Sequence, residues 1–223
     1  ADPLKPRVAS IIDLPDARAA QQQFRYLFVT TARGLEVIDM TDPAHPRALP
    51  DAHVPLADAQ RVYLARTYAY VAAGAQGLAI VDIEKAEAPK LLQLYNADGK
   101  LTDARDVIVG STNASLFAYV ADGRNGLQVL QLTAPDTQPK FYGFSPEPKP
   151  QLIAHYATPA PALALSRGLD RDRAVDESGG QIAVFGRIGS RPFTLPEMQK
   201  LYLDAGSAPW FVSNQDEHAP RAR

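Results

Sequence analysis

The feature that most constrains this chain is a sentence it writes more than once. An apolar run, a small-polar turn, a Gly-Leu pair and a second apolar run recur in fixed order. The Gly-Leu pairs open "GLEVIDM" at Gly34, "GLAIVDI" at Gly77 and "GLQVLQL" at Gly126, spaced 43 and 49 residues apart. Ahead of them stand "YLFVTTARG", "YAYVAAGAQG" and "FAYVADGRNG". A weaker fourth copy is "GGQIAVFG", from Gly179 to Gly186. Earlier in each unit comes "DAR" at Asp16, "DAQ" at Asp58 and "DAR" at Asp103, spaced 42 and 45 residues apart. The latter two lead into the alternating pairs Val62, Leu64 and Val107, Val109. A proline-bearing stretch closes each unit: Asp42–Leu49, Ala86–Leu94 and Ala134–Phe144.

Each unit of roughly 40–50 residues therefore reads as four short strands joined by tight turns. Gly at the hairpin tips supplies positive φ, and Val, Ile, Tyr and Phe fill the strands. A lone four-stranded sheet cannot bury both faces, so neighbouring units must stack. The expectation is an all-β chain: a β-propeller of about four blades, each of four antiparallel strands, as a partial or small ring. A sandwich with look-alike hairpins is the rival, but three separate elements recur in one order. The units fall at about 1–15 (partial), 16–56, 57–101, 102–149 and 150–190 (degenerate), so 1–190 is the repeat domain and 191–223 a separate tail.

"YVAAGAQGLAIVDI" and "YVADGRNGLQVLQL" resemble the LVIVD repeat, with Leu78, Ile80, Val81 and Asp82 close to its name. The resemblance covers residues 2–145 well and 150–190 poorly. It implies a β-propeller, usually in bacterial or archaeal proteins that are exported or on the cell surface. It also implies a possible partner, since such repeats occur in large proteins that carry multihaem cytochrome regions.

"DPLKPRVA" at Asp2 matches "DPAHPRAL" at Asp42, so the chain opens inside a repeat. Two readings stand open. In the preferred one, the chain is a fragment of a longer propeller. In the other, a strand at about 5–14 completes a last blade built from about 160–186, closing a four-bladed ring without free sheet edges. The tail "TLPEMQKLYLDAG", Thr194–Gly206, reads as a helix. Thr194 and Glu197 form a capping box, and Leu195, Met198, Leu201 and Tyr202 make an apolar stripe. The opening "ADPLKPRV" holds no apolar signal segment, which fits a mature, trimmed or cytosolic chain.

Composition excludes several function classes. A net charge of −2 with dispersed Lys and Arg removes the electrostatic basis for nonspecific nucleic-acid binding. No run of 18 apolar residues predicts a membrane span. Cysteine is absent, which excludes disulfides, thiolate metal sites, Cys nucleophiles and haem attachment through C-x-x-C-H. No cofactor is expected. His45, His53, His155 and His218 form no H-x-x-x-H pair, and no serine has a nucleophile context; "RIGSRP" around Ser190 reads as a turn. Asp170, Asp172, Asp176 and Glu177 are weak metal candidates, because Arg171 and Arg173 alternate with them. Asn113–Ser115 matches a glycosylation sequon in a hairpin loop.

The recurrent Asp16, Asp58 and Asp103, with Arg18 and Arg105, are the leading polar set. Just ahead of each unit's innermost strand, they would ring one mouth of a central channel. A ring of Asp and Arg there can bind a small ligand or cation. A structural role, each Asp locking its turn, explains the recurrence by itself and outweighs the ligand reading. Asp39 and Asp82 likewise read as turn formers, and "ADGRNG" at Ala121–Gly126 as a plain hairpin turn. The functional expectation is a noncatalytic propeller scaffold in an exported or cell-surface (alternatively periplasmic) assembly. Its partner is a protein, with a multihaem cytochrome as one candidate. The alternative is a ligand- or metal-binding propeller, or an enzyme, working at Asp16, Asp58, Asp103 and Arg105.

Overall fold

A computed structural model of the chain describes residues 5–112, 115–134 and 145–166. It also describes 187–188, 191–192, 194, 196–197, 199 and 206. The chain divides into two compact units, 1–166 and 167–223.

The first unit holds three four-stranded antiparallel sheets, each a simple meander. Sheet 1 contains β1 (Ala19–Gln23), β2 (Tyr26–Thr31), β3 (Gly34–Asp39) and β4 (Arg47–Pro55). Sheet 2 contains β5 (Arg61–Ala65), β6 (Tyr68–Ala72), β7 (Leu78–Asp82) and β8 (Lys90–Tyr95). Sheet 3 contains β9 (Asp106–Thr112), β10 (Ser115–Ala121), β11 (Leu127–Thr133) and β12 (Gln151–Tyr156). The first strands lie against one another, β1 on β5 and β5 on β9, as innermost strands of adjacent propeller blades do.

The core lies between the sheets. Side chains alternate across a strand, so each sheet feeds two neighbours. In sheet 2, Ala69, Val71, Ala79 and Val81 meet Phe28, Leu35, Val37 and Val54 of sheet 1. Its other face turns Tyr70, Ala72, Leu78 and Ile80 to Val107, Val109, Val120 and Leu130 of sheet 3. That double burial is why β6 and β7 read as continuous apolar runs rather than alternating ones.

The recurring glycine has a steric reason. A Cβ on Gly34, Gly77 or Gly126 would collide with the carbonyl oxygen of Val54, Tyr95 or Tyr156 on the outermost strand. Gly77 and Gly126 also hold φ at 79°, where a side chain is strained. Just after each glycine, the pairing of third and fourth strands breaks register: between Glu36 and Ile38, Ile80 and Val81, and Val129 and Leu130. This shared bulge bends the outer edge of every sheet at one place.

The outermost strand of the third unit is displaced from its expected place. It is β12, Gln151–Tyr156, and not the proline stretch Ala134–Phe144, of which 135–144 lie outside the described residues. The chain inserts a longer connection after β11, so the strand falls in the segment that the repeat period assigns to the next unit. Beyond β12, Ala162 forms an antiparallel bridge to Gly123, as Ala104 does to Gly74. Ala162 thus takes the place at Gly123 that Ala104 takes at Gly74, with Pro161 in the aspartate's place.

In the second unit, Arg187–Ile188 and Arg191–Pro192 pair antiparallel. Thr194 donates from its backbone N–H and its hydroxyl to Glu197 Oε2, at 2.8 and 2.9 Å. Only Pro196, Glu197 and Gln199 are described as helical, so the expected helix to Gly206 is not established. Its apolar stripe lies outside the described residues, as does the weak copy at 179–186. Among the described residues, no helix is long and apolar enough to cross a membrane.

Candidate functional site

The recurrent polar set splits in two. Asp16, Arg18 and Asp58 come together across the junction of sheets 1 and 2. Arg18 Nη1 donates to Asp58 Oδ1 at 2.6 Å and to the Ala59 carbonyl at 3.2 Å. Its Nε and Nη2 approach Asp16 Oδ2 at 3.0 and 2.8 Å. The hydrogen bond that Arg18 donates to Asp58 leads in raising the Arg18 pKa further above its already high value. Gln60 Nε2 also donates to Asp58 Oδ1, at 2.6 Å. Asp58 thereby spends one oxygen on two donors, and its other oxygen lies against Gly74, where a Cβ would strike it.

Asp103 and Arg105 form the other part. Arg105 Nε lies 2.5 Å from Asp103 Oδ1, but its N–H is not aimed at the carboxylate, so the contact is an ion pair without an aligned hydrogen bond. Asp103 Oδ2 faces Gly123 as Asp58 Oδ2 faces Gly74. Thus each of these two aspartates packs under the glycine turn of its own sheet.

Of the buried acids that sequence reasoning passed over, Asp122 and Asp106 hold the loops around sheet 3. Asp122, fully enclosed, accepts from the N–H groups of Thr102 and Asp103 at 3.1 and 2.7 Å and from Asn125 Nδ2 at 2.9 Å. The stretch read as a plain hairpin turn therefore clamps the loop leading into its sheet. Asp106 accepts from the Leu165 N–H at 2.8 Å and so holds the segment that follows β12. Their signal in sequence was only an acid inside an otherwise apolar strand end.

The other candidates are distributed. Asp39 accepts from the hydroxyl and N–H of Thr41 at 2.5 and 2.8 Å and from Arg47 at 2.9 Å. The Thr41 hydroxyl leads in pulling its pKa down to about 2. Asp82 accepts from the Glu84 N–H at 2.9 Å, so both are turn formers at matching places. His45 Nδ1 lies 2.8 Å from Asp42, His53 Nε2 lies 3.2 Å from the Arg33 carbonyl, and His155 is exposed on β12. Among the described residues, no three His, Asp or Glu side chains gather as metal ligands. Asp170, Asp172, Asp176, Glu177, His218 and Asn113 lie outside the described residues.

Comparison with known families adds to this geometry. The family model for the LVIVD repeat matches residues 57–96 and 103–135. This chain carries LVIVD repeats. The first matched LVIVD repeat spans sheet 2 with its lead-in, and the second spans sheet 3 up to the long connection before β12. Sheet 1 has the same strand order and bulge but lies outside the match. Its β2–β3 turn is one residue shorter than in the matched repeats and lacks the glycine found at Gly74 and Gly123. No curated protein matches the chain.

Proposed function

We propose that this chain is a noncatalytic β-propeller module that docks onto a protein partner in an exported or cell-surface assembly. The observation that supports it best is β8. Leu91, Leu92 and Leu94 are 41%, 40% and 43% exposed on one outermost strand. Among the described residues, no strand pairs with its free edge. A long apolar edge strand is a template for another chain unless something covers it. The polar set at the lead-ins supports the same reading, since Arg18, Asp58 and Gln60 satisfy one another between sheets. The ring that the repeats would build, of about four blades, is completed either by this chain or by further repeats of a longer one. A multihaem cytochrome is the partner class that the repeat's usual company suggests.

The test is sizing and intact mass of natively purified protein, with a visible absorption spectrum. A larger co-purifying species that Leu91→Lys and Leu94→Lys release supports the proposal, and a Soret band in it marks a haem partner. A colourless monomer, unchanged by both substitutions, overturns it and directs attention to ligand binding at Asp16, Asp58, Asp103 and Arg105.

A further inference from the structure

A groove of about 620 Å³ opens where the loop from β8 to β9 meets the β10–β11 turn and β12. Lys100, Thr102, Arg124, Asn125, Gln128 and His155 line it, with Leu152 as an apolar wall. Among the described residues that line it, none is an acid. Among the described residues, neither Lys100 nor Arg124 forms an ion pair. The acid of the same turn, Asp122, is enclosed and already occupied by Thr102, Asp103 and Asn125. That clamp fixes the turn: Asn125 Nδ2 donates to Thr102 Oγ1 at 2.7 Å as well. The polar wall is thus held in place before anything binds.

Gln128 supplies the second observation. It is 3% exposed, and its Nε2 donates to the Asn125 carbonyl at 3.2 Å. Its Oε1 is buried and has no hydrogen-bond partner among the described residues. A buried acceptor without a donor is costly, and at a groove wall it asks for a donor from outside the chain. Two cations with no ion pair among the described residues ask for an anion. The volume suits a ligand of sugar size.

We infer that this groove binds a small hydroxylated anion, a sugar acid or sugar phosphate. Lys100 and Arg124 hold the anionic group, ligand hydroxyls meet Thr102, Asn125 and Gln128, and Leu152 packs against the carbon face. The inference is independent of the docking reading, because β8 contributes no residue to the groove.

The test is an NMR titration of the full chain with glucuronate, glucose 6-phosphate, inorganic phosphate and neutral glucose. The backbone amides of Gly99–Thr102 and Arg124–Gln128 are followed. The expected result is saturable shifts at these amides with a sugar anion and none with glucose at equal concentration. Tighter binding of glucuronate identifies a carboxylate ligand, and tighter binding of glucose 6-phosphate a phosphate ligand. The exposed double variant Lys100→Ala/Arg124→Ala should keep its thermal midpoint and weaken binding about tenfold or more. Gln128→Met should weaken the sugar anions while leaving inorganic phosphate unchanged. Unsaturable shifts, equal binding by the double variant, or inorganic phosphate binding as tightly as both sugar anions would each overturn the inference.

Discussion

The junction between sheets 1 and 2 and the junction between sheets 2 and 3 do one job with different chemistry. The first is tied by side chains. Arg18 reaches Asp58, the Thr30 hydroxyl donates to the Gln60 carbonyl at 3.0 Å, and Gln21 accepts from the Leu64 N–H at 2.8 Å. Gln23 and the exposed group of Arg25, Tyr26 and Glu87 continue the seam. The second junction adds a backbone pair to its side-chain tie. Gly74 and Ala104 exchange N–H···O bonds, both at 3.0 Å, and the Tyr95 hydroxyl accepts from the Leu152 N–H at 3.0 Å. The difference follows from one residue. The shorter turn of sheet 1 lacks a glycine to present its backbone, so side chains make the joint. A repeat can therefore keep its architecture while changing the bonds that hold neighbours together.

The largest way to probe this comparison is through the buried leucine that follows each glycine. Leu35 and Leu78 are fully enclosed, one in each junction, whereas Leu127 is only half-buried. Leu35→Ala and Leu78→Ala should each cost about 2–5 kcal/mol in urea unfolding. Leu127→Ala should cost about 1 kcal/mol, because less of its surface leaves water. Equal losses at all three sites would show that the junctions are not where the stability resides.

These leucines also mark how much was legible beforehand. Gly-Leu is visible because the steric demand of the outer-strand carbonyl repeats with the fold. The bulge beside it leaves no residue signature, since Ile38, Val81 and Leu130 are ordinary strand residues. β12 was misplaced because the long connection after β11 breaks the period. The lead-in at Ala162 was hidden because Pro161 replaces the aspartate. At the candidate site, the recurrent acids and arginines are legible, but which of them pair is not. Arg18 and Asp58 lie 40 residues apart, and a spacing cannot say which sheet an arginine leans toward. The groove was invisible for the same reason: Lys100 and Arg124 come from two loops that only the packing of sheet 3 brings together.

A smaller effect is expected from Tyr70, in the second junction. The residue is fully buried, its hydroxyl has no partner among the described residues, and burial pushes its pKa well above the usual phenol value. Tyr70→Phe removes an unmet donor without opening a cavity, and should raise stability by about 1 kcal/mol. A loss of stability would mean that the hydroxyl does find a partner in solution. In the first junction, Arg18→Ala should cost about 0.2–1 kcal/mol, because its side chain is 27% exposed and that of Asp58 40%. The loss should shrink in high salt. No such salt dependence is expected for Leu78→Ala, so the pair of measurements separates an ionic joint from an apolar one.

The smallest effect belongs to the linkers, where the same contrast between sheets 1 and 2 recurs. Asp39 is held by Thr41 and Arg47 as well as by backbone, whereas Asp82 accepts from the Glu84 N–H. The hydrogen bonds favour the ionised form of Asp39 in the folded chain, and its pKa falls to about 2. An unfolded Asp titrates near about 4. Between these values the unfolded state binds more protons than the folded one, so Asp39 stabilises the fold above about pH 4. That contribution is lost as the pH drops through about 2. Asp39→Asn removes the titrating group, so the wild-type chain should lose more of its urea midpoint than the variant over this window. The carboxyl carbon shift of Asp39 should also titrate near pH 2. Parallel midpoint curves for the two proteins would mean that the Thr41 and Arg47 contacts do not persist in solution. The side-chain character of sheet 1 would then end at its junction with sheet 2 and not extend to its outer linker.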